Sequence, residues 1–279
     1  MQNAEDRGER FSDSVVKIEA EPLYLYPTEL SPNRCNCACS FEKSIVALVY
    51  DVRVNSCPRV GREVGCKGGK GDKVASRLRV GSWNIETLTG KSIELGRILQ
   101  RRRINIACVQ ETRWKGTKAC DINGYKLWYS GDAGGKNGVG ILVDRDLREL
   151  VVEVRRVSDR VMAVKLLVGG LTLNVISAYA PHIGLGEEVK RQFWEDLDEV
   201  VRHIPCIEMV FIEGDFNGHI GANAGGYDDV HGGFGFGDRN EAGTLLLDFA
   251  RAFYLVVVNS SFPKREEHLV TFRSTVART

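Results

Sequence analysis

The sequence predicts an α+β fold, a layered α/β/β/α sandwich of two mixed sheets flanked by helices. Between Val139 and Ala180 apolar runs follow one another closely, Val139–Val143, Val151–Val157, Val161–Val168 and Leu171–Ala178, parted by short turns such as Gly169-Gly170. Two stretches instead carry apolar residues at helical spacing. One runs from Glu187 to His203 through Val189, Phe193, Leu197, Val200 and Val201 and on to Ile204; the other follows Asn240, with Leu245, Leu246, Phe249 and Phe253. Strand runs alternating with single helices fit stacked layers and argue against a TIM barrel or a helical bundle.

The elements can be taken in order. Residues 1–76 show no sustained period of 2 or 3.6, and the stretch Gly65-Cys66-Lys67-Gly68-Gly69-Lys70-Gly71-Asp72 reads as a linker. Within them Ser44–Tyr50 has the makings of a short strand with no evident partner. Residues 1–76 are therefore expected to be a poorly structured extension and 77–279 the folded domain. Leu78–Trp83 reads as a strand, and a helical run begun near Ser92 ends at Arg101-Arg102-Arg103, where the helix dipole favours positive charge. Ile104–Val109 is a buried strand, Met209–Ile212 another, and Asn240 is suited to cap the second amphipathic helix. A final strand is expected at Leu255–Val258, closed by Asn259.

Function is signalled by what the strands deliver at their ends. Met209–Ile212 runs into Gly214-Asp215-Phe216-Asn217, where Asp215 and Asn217 are spaced by two and so can face the same way. Leu78–Trp83 is followed by Asn84 and Glu86 at the same spacing. Ile104–Val109 ends at Gln110-Glu111, and Leu171–Ala178 at Tyr179-Ala180-Pro181-His182. Each is ordinary alone, since Gly-Asp-x-Asn also makes turns. Four strands ending in Asn, Asp, Glu, Gln or Tyr point instead to a polar site at a sheet edge.

The order Trp83-Asn84-x-Glu86, Gln110-Glu111-Thr112, Ala178-Tyr179-x-Pro181, Gly214-Asp215-Phe216-Asn217 resembles the endonuclease/exonuclease/phosphatase superfamily, the DNase I-like group that includes the apurinic endonucleases. Longer strings resemble more closely the endonuclease domains of non-LTR retrotransposons: Asn217-Gly218-His219-Ile220-Gly221, His231-Gly232-Gly233-Phe234-Gly235, Arg239-Asn240-Glu241-Ala242-Gly243 and His268-Leu269-Val270-Thr271-Phe272-Arg273-Ser274. The craniofacial development protein 2-like family shares this pattern. The resemblance spans residues 77 to 279 and implies a DNase I-like sandwich.

It also implies roles. Phosphodiester hydrolysis needs a cation to neutralise the phosphate, a group to position or deprotonate water, and help for the departing oxyanion. By similarity Glu111 is the carboxylate that holds Mg²⁺, or Mn²⁺ in its place, with Asn84 and Glu86 beside it; relatives usually have Asp where this chain has Glu86. Asp215 would orient or deprotonate the attacking water, Asn217 hold a phosphate oxygen, and Tyr179 bind the phosphate or support the nucleophile. His182, Arg113, Lys115 and Asn259 would contact substrate, Arg113 and Lys115 because they share a loop with Glu111. Relatives continue past Thr271-Phe272-Arg273-Ser274 into an Asp-Tyr strand and a final Ser-Asp-His. The sequence stops at Thr279, and none of its five histidines stands in that setting, which implies a domain incomplete at its C-terminus with impaired activity. The resemblance thus implies a Mg²⁺-dependent DNA-nicking endonuclease; the alternatives are an inactive DNA- or protein-binding remnant and an inositol or lipid phosphatase.

Composition narrows the setting. With 279 residues and 43% apolar content the chain can bury a sizeable core. No stretch approaches the roughly 18 apolar residues of a membrane span, and the N-terminus lacks a signal-peptide pattern. The expectation is an intracellular protein, the nucleus included, with DNA as partner, no membrane, no organic cofactor, and oligomeric state left open. A net charge of +1 says little, because a nucleic-acid enzyme needs only a local basic surface. No Gly-x-Gly-x-x-Gly follows a strand and opens a helix, so Gly232, Gly233, Gly235 and Gly237 read as a loop. Cys35, Cys37 and Cys39 lack the spacing of a zinc site, and Cys108 and Cys206 read as buried thiols.

Overall fold

The computed structural model of the chain describes residues 17–19, 48–54 and 76–263, with backbone only for the first two segments and for 76 and 77. The linker at 65–72, Cys35, Cys37 and Cys39, and the Thr271-Phe272 element lie outside the described residues.

Seven strands form one mixed sheet: β1 (Lys17–Glu19), β2 (Leu48–Val54), β3 (Ser76–Asn84), β4 (Ile106–Gln110), β5 (Gly116–Ile122), β6 (Tyr125–Gly131) and β7 (Val139–Asp144), in the order β1-β2-β3-β4-β7-β6-β5. A second sheet holds β8 (Val151–Arg156), β9 (Val161–Val168), β10 (Leu171–Tyr179) and β11 (Met209–Asp215), in the order β11-β10-β9-β8. Three helices complete the fold, α1 (Ser92–Arg102), α2 (Glu187–Arg202) and α3 (Glu241–Ala252).

Sequence alternation sorts the side chains into four layers. Val80, Ile106, Cys108, Ile141 and Val143 of the first sheet meet Met162, Val164, Leu166, Leu173 and Val175 of the second, forming the core between the sheets. The opposite face of the first sheet, with Ala107, Val109, Leu127 and Leu142, takes Leu95, Ile98 and Leu99 of α1. Val161, Ala163, Ile176 and Ala178 of the second sheet take Phe193, Leu197, Val200 and Val201 of α2, with Phe249 and Phe253 alongside. This is the α/β/β/α sandwich.

The two parallel pairs set up the site. β3 and β4 are parallel and joined through α1, as β10 and β11 are through α2; parallel neighbours need such a crossover. Each unit brings two strand C-termini level, with Asn84 opposite Gln110 in one and Tyr179 opposite Asp215 in the other. Four polar strand ends therefore arrive at one end of the sandwich. Gly214 permits this closeness, since a Cβ there would sit 2.0 Å from the carbonyl oxygen of Ala178.

Several sequence expectations are corrected. The apolar run near Ser44–Tyr50 does have a partner: β2 pairs antiparallel with β3, from Leu48 opposite Ser82 to Val54 opposite Ser76. The hairpin of β5 and β6 was not among the expected strands, although Asn123-Gly124 turns it, with φ of 44° and 87°. Leu255–Val258 is not a strand. Leu255 N–H still caps α3 on Ala250 O, Val257 makes a single parallel bridge with His231, and a 3₁₀ turn follows at Val258–Ser260; the run lies beside a loop, with no strand to extend along. Cys108 is buried, but Cys206 is exposed, because its apolar surroundings belong to the connection between α2 and β11. Asn240 caps α3 as expected, its side chain accepting from Gly243 N–H at 2.9 Å. Val189 and Leu245 are exposed, so the buried helix faces are offset from the full apolar stripe. Among the described residues no helix is long and apolar enough to cross a membrane.

Candidate active site

Asn84 joins the two halves of the sandwich. Its amide nitrogen donates to Glu111 Oε1 at 3.0 Å and to Asp215 Oδ2 at 2.8 Å, so one side chain from β3 ties a carboxylate after β4 to one ending β11. Two carboxylates require a donor here, which fixes the amide orientation and turns Asn84 Oδ1 to Glu86 N–H at 3.1 Å. Glu86 thus enters the cluster through its backbone. Among the described residues its half-buried carboxylate makes no hydrogen bond.

The Glu111 carboxylate has three hydrogen-bond partners, as many as the Asn84 side chain. Oε1 also accepts from the Tyr179 hydroxyl at 3.0 Å, and Oε2 from Arg113 Nη2 at 2.8 Å. Burial pushes its carboxyl up, but hydrogen bonds from Arg113, Asn84 and Tyr179 and the Arg113 charge outweigh that and leave it below the usual range, hence ionised at neutral pH. Tyr179 moves the other way: burial first, then the charges of Glu111 and Asp215, hold its phenol protonated far above neutrality. Its hydroxyl also lies 2.7 Å from His182 Nε2. The phenol's one proton serves Glu111, so the imidazole donates in this second bond, which assigns the Nε2–H tautomer.

Asp215 Oδ1 accepts from Asn217 N–H at 3.0 Å, and Asn217 Nδ2 donates to Ala180 O at 2.8 Å. One amide hydrogen of Asn217 is left over. The structure thus brings Asn84, Glu111, Tyr179, His182, Asp215, Asn217 and Arg113 into one hydrogen-bonded cluster, with Glu86 attached by its backbone. Lys115 is exposed and passes over Gly135 without bonding to the cluster. Asn259 sits in the 3₁₀ turn, its Oδ1 buried and without a hydrogen-bond partner, and no described contact links it to the cluster. Arg101 and Arg102 lie in the last turn of α1, and Arg103 closes it.

The backbone is bent at the cluster. Seven non-glycine residues have positive φ among those described, and four of them are Glu86 (57°), Glu111 (54°), Arg113 (53°) and Asn217 (48°). Each such conformation costs about 1–3 kcal/mol and persists only where the surroundings hold it. The holding bonds are visible: Leu88 N–H to Thr112 O, Thr112 N–H to Gly138 O at 3.0 Å, and Arg113 N–H to Asn137 O at 2.8 Å. Gly138 (φ 112°) is required there, since a Cβ would come within 2.2 Å of Thr112 Oγ1. The four bends cluster at the ends of β3, β4 and β11, where the polar side chains gather.

Asn137, Asp159 and Arg160 stand behind the cluster and did not figure among the sequence candidates. They lie in loops that precede apolar strands, where charged and amide residues are common, so only their tertiary neighbours distinguish them.

The donor set is oxygen and anionic: two carboxylates drawn together, one held ionised. That fits a hard cation held by one or two carboxylates with water completing its shell. Among the described residues no group of three or more His, Cys, Asp and Glu side chains is disposed to enclose a metal.

Two mixed sheets, flanking helices and a carboxylate cluster at one end of the sandwich agree with what comparison reveals. The chain belongs to the endonuclease/exonuclease/phosphatase family, whose profile matches residues 81–245, more than half its length. It is similar to craniofacial development protein 2 of Bos taurus, with 29% identity over 201 residues, 71% of this chain and 34% of that one. The matched region thus spans about a third of that relative's length. Similar solved structures include an AP endonuclease from Archaeoglobus fulgidus, 24% identical, TM-score 0.40, covering 55% of this chain and 61% of that one. The endonuclease domain of TRAS1, a telomere-specific non-LTR retrotransposon, is 18% identical, TM-score 0.41, over 63% of this chain and 70% of that domain.

Proposed function

We propose that this chain is a divalent-metal-dependent phosphodiester hydrolase that nicks DNA. The observation that carries the reading is the Asn84 amide bridging Glu111 and Asp215, because it draws together two carboxylates from different strands in a family of endonucleases, exonucleases and phosphatases. Glu111 and Asp215 would hold the ion, with water completing its shell; Mg²⁺ suits these donors and Mn²⁺ would substitute. Such an ion would supply charge neutralisation at the phosphate and at the departing oxygen.

The chain's own groups do the rest. Asp215 uses one lone pair on each oxygen for Asn84 and Asn217, leaving others to take a proton from the attacking water. The remaining amide hydrogen of Asn217 can meet a phosphate oxygen, while His182 donates its Nε2–H to Tyr179. Arg113, paired with Glu111 and half exposed, can also contact a phosphate oxygen with its solvent-facing guanidinium N–H groups. Tyr179 keeps its proton and holds Glu111 in place.

Supercoiled plasmid incubated with Mg²⁺ and with EDTA tests this, beside Glu111→Ala and Asp215→Ala. Nicking that needs Mg²⁺ and both carboxylates is the expected result. A folded Asp215→Ala protein that nicks as fast as the parent sinks the assignment, and release of phosphate from a phosphoinositide without plasmid nicking replaces the DNA substrate with a lipid one.

A further inference from the structure

Arg160 is a buried cation with no carboxylate in ion-pair contact among the described residues. It is 8% exposed. Its Nη1 donates to Tyr179 O at 3.2 Å, and its Nη2 to Asn137 Oδ1 at 3.1 Å. The guanidinium carbon lies 5.0 Å from the centre of the Tyr179 ring. In the other direction Tyr179 N–H donates to Arg160 O at 2.8 Å. Arg160 thus grips Tyr179 at its backbone N–H, its carbonyl and its ring. Removing a charge from water costs several kcal/mol unless it is well partnered, and fixing one tyrosine backbone in a sheet needs no charge at all.

The other hydrogen-bond partner shows where the charge acts. Asn137, which accepts from Arg160, donates to Asp159 Oδ2 at 2.6 Å and offers its own carbonyl to Arg113 N–H. Gly138 N–H rests on Asp159 O, and Gly138 O receives Thr112 N–H. The left-handed turn that presents Glu111 and Arg113 is therefore held by a segment that Arg160 and its neighbour Asp159 hold in turn. One guanidinium reaches Glu111 twice, through the Tyr179 hydroxyl and through the backbone behind it.

We propose that Arg160 is a positioning residue: it sets the Tyr179 ring against Glu111 and braces the turn that carries Glu111, so that the carboxylate meets its cation in one geometry. The idea rests on the hydrolase reading above, but its first test does not. Cation–π contact favours the stacked ring and the carbonyl bond fixes its backbone, so loss of the guanidinium releases the hydroxyl from Glu111.

The structural test is NMR of the protein with ¹³C-labelled tyrosine Cζ, comparing the parent with Arg160→Met and Arg160→Lys. Tyr254, 97% exposed, provides an internal reference for a hydrated phenol. The Tyr179 signal is expected to move toward that of Tyr254 in Arg160→Met and part of the way in Arg160→Lys. An unmoved signal in a folded variant overturns the proposal, and Arg160→Lys keeps the comparison available if the Met variant does not fold. The kinetic test is a double-mutant cycle with Tyr179→Phe in plasmid nicking. Arg160→Met is expected to lower kcat roughly 10²-fold with KM little changed, as a misplacement of about 1 Å does, and the double variant to be no slower than the slower single one. Losses that multiply overturn it, since they would mean that Arg160 acts independently of Tyr179. If the parent itself shows no metal-dependent nicking, the hydrolase reading fails while the NMR comparison still decides the placement of Tyr179.

Discussion

Glu213 and Asp215 lie on one face of β11, a single strand period apart, and their surroundings are opposite. Asp215 ends the strand, where the departing loop supplies Asn217 N–H and the neighbouring sheet supplies Asn84. Glu213 is 4% exposed, in register with Ser177 between the sheets, and makes no hydrogen bond or ion pair among the described residues. Around it Ser82 donates to Gln110, Gln110 to Ser177, and Ser177 to Val109 O, a polar chain that closes without it. Burial alone holds the Glu213 carboxyl well above the usual range, and burial followed by the Glu213 charge raises the Cys108 thiol. Inside a sheet the backbone N–H groups are consumed by the ladder, whereas at a strand end they become available. A carboxylate two residues further along the same strand therefore changes from a buried liability into a hydrogen-bonded group.

The largest expected effect separates the two directly. Asp215→Asn is expected to lower metal-dependent cleavage by about 10²–10⁴-fold, the span general-base help supplies, with little change in thermal stability. Glu213→Gln should leave cleavage near the parent rate. A Glu213→Gln protein as impaired as Asp215→Asn would break the comparison and move the inner carboxyl into the chemistry.

Next comes stability and its dependence on pH. Glu213→Leu removes a buried, unpartnered carboxyl and is expected to stabilise the fold at pH 7 by about 1–3 kcal/mol, the range for an unbonded buried polar group. The sign follows from the raised folded pKa: the unfolded carboxyl ionises near its ordinary 4.5 while the folded one does not, so the parent loses stability as pH rises above that value. Urea midpoints of parent and Glu213→Leu should therefore draw together toward pH 4 and diverge above it. Glu111 works in reverse. Its folded pKa is lowered, so its contribution is present above 4.5 and disappears as pH falls through the folded value. In EDTA, Glu111→Gln should be less stable than the parent at pH 7 and equal to it once both states are protonated. Curves of the same slope for the two variants would show that the surroundings of these carboxylates are not opposite.

Much of this was legible in the residues, and the reasons differ by element. Asp215, Asn84, Glu111 and Tyr179 could be found because each ends an apolar run, and polarity at four such ends is more than packing needs, even though Tyr179 also packs into the core between the sheets. Asn240 could be placed as a cap because the bond is local. The Leu255–Val258 run misled because β-branched propensity says nothing about whether a partner strand lies alongside. Arg160 could not be found, since its meaning lies in contacts with Tyr179 and Asn137, 19 and 23 residues away in sequence. The bend at Glu111 was equally hidden. Nothing in Gln110-Glu111-Thr112-Arg113 discloses that Gly138 must be glycine for the turn to close.

The smallest expected effect concerns the charge at the mouth of the cluster. Arg113 pairs with Glu111 at 2.8 Å, yet half of its side chain faces solvent, and exposed ion pairs are worth about 0–1 kcal/mol. Arg113→Ala should thus change thermal stability little, far less than altering the buried carboxyl of Glu213. Its effect should appear in DNA binding, where losing one phosphate contact lowers the slope of log K against log salt by about 1. Fluorescence anisotropy of a labelled duplex across a salt series, done in Ca²⁺ to slow cleavage, gives that slope. An unchanged slope with weakened binding would mean that Arg113 serves only to hold Glu111, and the cation at the mouth would then belong to the same fixed scaffold as Asn84 and Tyr179.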